Sequence, residues 1–233
     1  MTMNPRVAIV TGGTGALGQA VTLRLLADGA SVCAPYVVPA ERERLLARIP
    51  SGDRERVVIE ECDVTDVAAM EALVRGVVGR WQRVDVLVSA VGGFAAGPLT
   101  ATDLPAWESM LRLNLTSAFI AARAVVPVMR SAGGGRIVNI ASRAVDPPTG
   151  GLIAYTTSKA AVIAFTQALA DELRADGITV NAVLPSTMDT PANRAAMPGV
   201  DPKTWVPVER VANAIVFLAS EGAGHVTGTL LKI

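Results

Sequence analysis

The sequence predicts one α/β domain, a doubly wound parallel sheet of about seven strands with helices on both faces. Short β-type runs alternate with longer helical patterns along the whole chain, the signature of repeated βαβ units. Several runs, such as Val84-Asp85-Val86-Leu87-Val88, are apolar almost throughout, as strands become when helices cover both faces of their sheet. The 233 residues fit a single α/β domain, for which about 200–250 residues is common. No composition shift, internal repeat or low-complexity tract divides residues 1–233.

The first strand is expected at Arg6–Val10. A helix at Ala16–Asp28 follows a glycine loop and carries Val21, Leu25 and Leu26 on one face. Strands at Ser31–Ala34 and Val57–Glu60 enclose a helix at Pro39–Arg48. A helix at Val67–Arg80 leads to the strand Val84–Val88. One long helix at Leu104–Arg130 and the loop Gly133-Gly134-Gly135 precede the strand Arg136–Ile140. After the proline-containing loop Asp146–Gly151 come a helix at Ala154–Ala175 and the strand Ile178–Leu184. Pro185–Pro207 carries five prolines and no confident element, long for an ordinary connection, and residues 186–207 are read as a substrate-loop insertion. The helix Val208–Ala219 and the strand Thr229–Lys232 complete the pattern.

The 21 Lys+Arg balance 21 Asp+Glu, with a pI near 6.6, which argues against nucleic acid or an anionic membrane as partner. Cys33 and Cys62 form no CxxC pair and read as two buried thiols in a reducing compartment rather than a disulfide or a metal site. His225 is the only histidine and follows no GxSxG elbow, which argues against Ser and Cys triads and removes HExxH zinc sites; no metal is expected. Met1–Arg6 leads straight into the apolar run Val7–Val10, with neither the length nor the cleavage site of a signal peptide. Ala118–Ala122 is soon broken by Arg123, far short of the roughly 18 residues a span needs. A cytoplasmic protein is expected.

Directly after the first strand stands Thr11-Gly12-Gly13-Thr14-Gly15-Ala16-Leu17-Gly18. Gly13, Gly15 and Gly18 fit GxGxxG, while Gly12, Gly15 and Gly18 fit TGxxGxxG. In this context glycines let the backbone approach a pyrophosphate, whose charge sits on the free N–H groups of the following helix. The fold is therefore read as a Rossmann-type dinucleotide-binding domain. At the end of the second strand, where a carboxylate bonds the ribose of NAD, stands the uncharged Tyr36. Glu41, Arg42 and Arg44 follow without a clear claim to the ribose. The cofactor is read as NAD or NADP, with a lean to NADP. Asp63-Val64 faces the adenine, or Asp63 caps the next helix.

Tyr155 and Lys159 lie four apart on a helical pattern and so share a face. A cation near a phenol lowers its pKa by about 1–3 units and makes it useful as an acid-base group. Ser142, thirteen residues before Tyr155, lies just past a strand whose C-terminal end faces the ligand crevice. Asn114 is an odd choice inside a helix unless it has a partner or marks a bend.

With the Ser89-Ala90-Val91-Gly92 segment added, these motifs resemble the short-chain dehydrogenases/reductases over essentially the whole chain. The resemblance implies a catalytic set of Asn114, Ser142, Tyr155 and Lys159. Tyr155 would be the general acid-base, and Lys159 would lower its pKa and bond the nicotinamide ribose. Ser142 would hold the substrate oxygen, and Asn114 would support a water-linked relay to Lys159. It further implies cofactor contacts at Gly12, Gly13, Thr14, Gly15, Ala16, Leu17, Gly18, Tyr36, Asp63, Val64, Ala90, Gly92, Pro185 and Thr187. The activity implied is reduction of a carbonyl, or oxidation of the corresponding alcohol, by a homodimer or homotetramer. Three departures touch the cofactor site: Ala16 replaces a glycine, Ser89-Ala90-Val91-Gly92 replaces NNAG, and Pro185-Ser186 replaces Pro-Gly. The stretch Ser186–Trp205 is read as a lid that shapes the pocket, with Met188 and Trp205 offering apolar contact to the substrate. A narrower likeness, in Gly13–Gly18, Ala90–Phe94 and Leu184–Arg194 with Met197-Pro198, Asp201 and Trp205, is to dihydropteridine reductases. Tyr36, in place of an acidic residue, and Ser142 depart from that branch. A silent NAD(P)-sensing protein is the remaining alternative.

Overall fold

In the computed structural model, which describes residues 6–233, the strand β1 (Val7–Thr11) is buried along its whole length. Met1–Pro5, where no leader is expected, lie outside the described residues. An apolar strand without an exposed face belongs inside a sheet, and β1 lies there. It is followed by α1 (Ala16–Ala27), β2 (Ser31–Cys33), α2 (Pro39–Arg48), β3 (Val57–Val58), α3 (Val67–Trp81) and β4 (Val86–Ser89). Then come α4 (Leu104–Leu111), α5 (Ser117–Ser131), β5 (Gly135–Ile140), α6 (Ile153–Glu172) and β6 (Ile178–Leu184). Residues 186–207 contribute β7 (Met188–Asp189), α7 (Pro191–Ala196) and β8 (Val206–Pro207), before α8 (Val208–Leu218) and β9 (Leu230–Lys232). The main sheet has seven strands in the order β3-β2-β1-β4-β5-β6-β9, every neighbouring pair parallel.

Helices cover both faces. On one, Val21 and Leu25 of α1, Leu45 of α2 and Val211 and Ile215 of α8 pack on the sheet. On the other, Leu73 and Val77 of α3 meet Ile120, Val125 and Met129 of α5. The order of winding reverses between β1 and β4, so the loops leaving these two strands part and open a crevice.

Four sequence expectations need correction. β3 ends at Val58 rather than Glu60; as an edge strand with one neighbour it loosens there, and the isolated Tyr36–Glu61 bridge carries the pairing on. The helix expected over Leu104–Arg130 is interrupted by a π-turn at Arg112–Thr116, where the Ser117 N–H reaches back to Arg112 O and widens the helix around Asn114. Residues 186–207 are not an irregular loop: β7 pairs with β8, and Thr190 caps α7 through the Asn193 N–H at 3.1 Å. Finally, the helical run Leu104–Ser131 is 28 residues long, with an 18-residue window of mean hydropathy 1.3, long and apolar enough to cross a membrane by length and composition. Its apolar character is explained by the sheet, under which Ile120, Ala121, Val125 and Met129 are buried.

Candidate active site

The glycine loop closes over the start of α1. Gly12 has φ +67°, and a Cβ there would lie 2.8 Å from the backbone of Ala90 and Val91. A side chain would force the β1 and β4 loops apart. A Cβ on Gly18 would lie 1.9 Å from Gly12 O, and one on Gly13 would lie 2.7 Å from Val10 O, so these two serve the packing of the loop itself. Gly15 differs. It is the N-cap of α1, and its Cβ would meet nothing closer than 3.4 Å, so the protein leaves open space over it. No side chain caps α1, whose opening N–H groups at Ala16, Leu17 and Gly18 border that space. Leu17 turns its side chain into the core. Space for a ligand beside free N–H groups at the positive end of a helix fits a pyrophosphate, and the chain thus fits a dinucleotide.

The adjoining cleft, about 290 Å³, gathers Tyr36, Asp63, Val64, Ala90 and Gly92 around Gly12, Thr14 and Gly15. Asp63 accepts from the Thr65 N–H at 2.9 Å and the Thr65 hydroxyl at 2.7 Å, and these bonds hold its carboxyl below the usual value. The cap of α3 is Asp66 instead, accepting from the Ala69 N–H at 2.8 Å. Cys62 also lines the cleft; burial pushes its thiol up to about 11 and that of Cys33 up to about 12, so both are inert thiols. Glu41 was not singled out by its position in the sequence. The turn into α2 swings it to the cleft wall, where it accepts from Thr14 Oγ1 at 3.2 Å.

Beside the cleft, α6 is stitched to β5 at two points two turns apart. Lys159 Nζ donates to Ile140 O at 2.7 Å, and Asn139 Nδ2 donates to Thr166 Oγ1 at 3.0 Å. This places Ser142, past the end of β5, next to Tyr155. Burial raises the Tyr155 phenol above its ordinary value, and the nearby Ser142 hydroxyl pulls it part of the way back. The lowering expected from Lys159 is absent here: burial brings that ammonium down to about 8, and it is directed at Ile140 O. Asn114 is 2% exposed. Its Oδ1 accepts from the Gly93 N–H at 3.0 Å, while Nδ2 donates to Gly93 O at 3.1 Å and to Ser158 Oγ at 2.9 Å. The Ser158 hydroxyl donates to Tyr155 O at 2.7 Å. A Cβ on Gly92 would lie 2.8 Å from Asn114 Oδ1 and 3.4 Å from Lys159 Nζ, so the loop after β4, the π-turn and α6 meet at one point.

Asn114, Ser142, Tyr155 and Lys159 are thus brought together at the C-terminal end of the sheet, and a family model described as short chain dehydrogenase matches residues 6–200. The chain belongs to the short-chain dehydrogenases. It is 32% identical over 240 residues to D-threitol dehydrogenase of Mycolicibacterium smegmatis, covering 99% of this chain and 92% of the relative. NAD+-bound xylitol dehydrogenase superposes with a TM-score of 0.88 at 28% identity, covering 100% of this chain and 99% of that one. ElxO with NADP bound superposes with a TM-score of 0.92 at 26% identity, covering 98% and 97%. This short-chain dehydrogenase is accordingly an NAD(P)-dependent oxidoreductase acting on a small molecule. The narrower likeness to dihydropteridine reductases finds no support in these relatives.

The remaining candidates lie elsewhere. Pro185 O accepts from the Arg143 N–H at 3.1 Å and Thr187 O accepts from the Val206 N–H at 2.9 Å; neither residue walls the cleft. Trp205 is 8% exposed and Met188 packs on the core, so both are used to seat the insertion. Two neighbours of Asn114 and Tyr155 escaped sequence reasoning. Ser158 was visible only as one more helix residue. Phe94 sets its ring edge-on to Tyr155 with centroids 5.0 Å apart, and is 65% exposed.

Proposed function

We propose that this dehydrogenase reduces a carbonyl to the corresponding alcohol, or runs the reverse reaction, with Tyr155 as proton donor and acceptor. The observation that carries this reading is the convergence of the Ser142 hydroxyl and the Tyr155 phenol beside Lys159 at the end of β5. A nicotinamide dinucleotide, when bound, supplies or takes the hydride. Gly12, Gly15 and the start of α1 would hold its pyrophosphate, and Lys159 its nicotinamide ribose. Ser142 donates a hydrogen bond to the substrate oxygen and fixes it against Tyr155. The phenol then gives its proton to that oxygen as the carbon is reduced. A buried phenol with a raised pKa stays protonated at neutral pH, which suits it to the reducing direction, and the Ser142 hydroxyl beside it favours the phenolate once the proton has gone. Asn114 keeps the loop after β4 in register with α6 through Gly93 and Ser158.

Phe94 beside Tyr155 offers the substrate an apolar contact. The same reading takes the protein as cytoplasmic and as a homodimer or homotetramer; only the second is supported by Phe119 and Phe165. These rings pair edge-to-face at 6.3 Å on α5 and α6, with Phe119 47% exposed. The test is oxidation of NADH and of NADPH in parallel, with a panel of ketones and aldehydes and with a quinonoid dihydropterin. Turnover of a carbonyl that falls in Ser142→Ala supports the proposal. Turnover of the pterin alone, or cofactor binding without any turnover, overturns it.

A further inference from the structure

We infer that Glu41 is the residue that discriminates between the two dinucleotides, and that it selects NAD(H) over NADP(H); this rests on the dinucleotide reading of the cleft. Tyr36 at the end of β2 is uncharged, so by itself it favours neither cofactor. The turn into α2 corrects that. Glu41 lies on the cleft wall and accepts the Thr14 hydroxyl at 3.2 Å, which ties its carboxylate to the glycine loop where the pyrophosphate would sit. One oxygen takes the Thr14 bond, and the other faces the exposed Arg44 only loosely, at 3.7 Å. Acceptor capacity therefore remains for a ribose hydroxyl.

The wall offers nothing to a phosphate. Its charged residues, among those described, are Glu41 and Asp63, both acidic. Asp63 takes both donors of Thr65 on one oxygen and lies past β3, whereas Glu41 is the carboxylate tied to the glycine loop through Thr14, beside the place for the pyrophosphate and its ribose. The arginines at the start of α2, Arg42 and Arg44, are not among the residues that line the cleft. Arg42 is paired with Glu43, and its guanidinium stands 5.8 Å from the centroid of the Tyr36 ring. Arg44 is held, if weakly, by Glu41 itself. A 2′-phosphate placed here would meet a carboxylate, whereas a 2′-hydroxyl could donate to it.

The test is titration of the purified protein with NADH and with NADPH, followed by nicotinamide fluorescence without substrate, so that it reads binding and not turnover. The expected result is NADH bound at least about 10-fold more tightly. In Glu41→Gln, which keeps an acceptor for Thr14 but removes the charge, NADH binding weakens and NADPH binding strengthens, bringing the ratio to within about threefold of one. Arg42→Ala and Arg44→Ala leave NADPH affinity within about twofold. A wild-type preference for NADPH, a ratio untouched by Glu41→Gln, or a loss of NADPH binding in either arginine variant overturns the assignment while leaving the oxidoreductase reading standing. Failure to bind either dinucleotide overturns both.

Discussion

Replacing Gly92 by alanine tests the junction that holds the reacting groups together. The new methyl would lie 2.8 Å from Asn114 Oδ1 and 3.4 Å from Lys159 Nζ. Comfortable contact is about 3.5 Å, so the overlap with the amide oxygen is about 0.7 Å. Asn114 cannot yield cheaply, because its amide is pinned by Gly93 N–H, Gly93 O and Ser158 at 3.0, 3.1 and 2.9 Å. Either the methyl stays under strain, costing about 1–3 kcal/mol, or the amide turns and gives up bonds of about 1 kcal/mol each. For a chain of this size each kcal/mol shifts the melting temperature by about 2–4 °C, so a fall of about 2–12 °C is expected by calorimetry. Turnover should fall about 100-fold, the usual effect of misplacing reacting groups by about an ångström. Gly79→Ala is the control: no heavy atom lies within 4 Å of its Cβ position on α3, and it should stabilise by up to about 1 kcal/mol. A Gly92→Ala protein that melts and turns over like wild type would refute the reasoning.

Two further outcomes follow from the same geometry. Burial holds Lys159 at about 8, below its ordinary 10.5, so between these pH values the unfolded chain binds more protons than the folded one. Stability therefore rises with pH across that window, and the burial cost, on the order of 3 kcal/mol, is fully present below pH 8. Lys159→Met should be more stable than wild type at pH 7 by urea denaturation, with the difference shrinking as pH approaches 10.5; a difference independent of pH would contradict this. Ser158→Ala removes the acceptor for Asn114 Nδ2 and should lower kcat about tenfold with cofactor affinity unchanged, whereas unchanged kcat would remove Ser158 from the positioning network.

The sheet was readable because its signal is local: β1 and β4 are apolar on both faces, and the glycine loop sits between a strand and a helix as the motif requires. Tyr155 and Lys159 were readable for a similar reason, since a four-residue spacing fixes a shared face. Asn114 was legible only as an anomaly. The π-turn around it depends on bonds to Gly93 and Ser158, which lie 21 and 44 residues away and leave no trace in a helical period. Glu41 was passed over because its place in the cleft depends on the angle at which α2 leaves β2. Met188 and Trp205 were ambiguous in another way: apolar residues in a proline-rich stretch suggest a substrate wall, but Trp205 is buried and Met188 packs on the core, and spacing alone does not separate the two uses. The expected effect of Lys159 on Tyr155 failed because shared helix spacing does not specify where the ammonium points, and here it points at Ile140 O.

The role of Tyr155 is tested most directly by Tyr155→Phe, which removes the transferable proton and keeps the ring beside Phe94. Titration with NADH should match wild type within about twofold, while reduction of the carbonyl substrate falls by about 10²–10⁴-fold. Undiminished reduction by the phenylalanine variant would show that the proton comes from elsewhere.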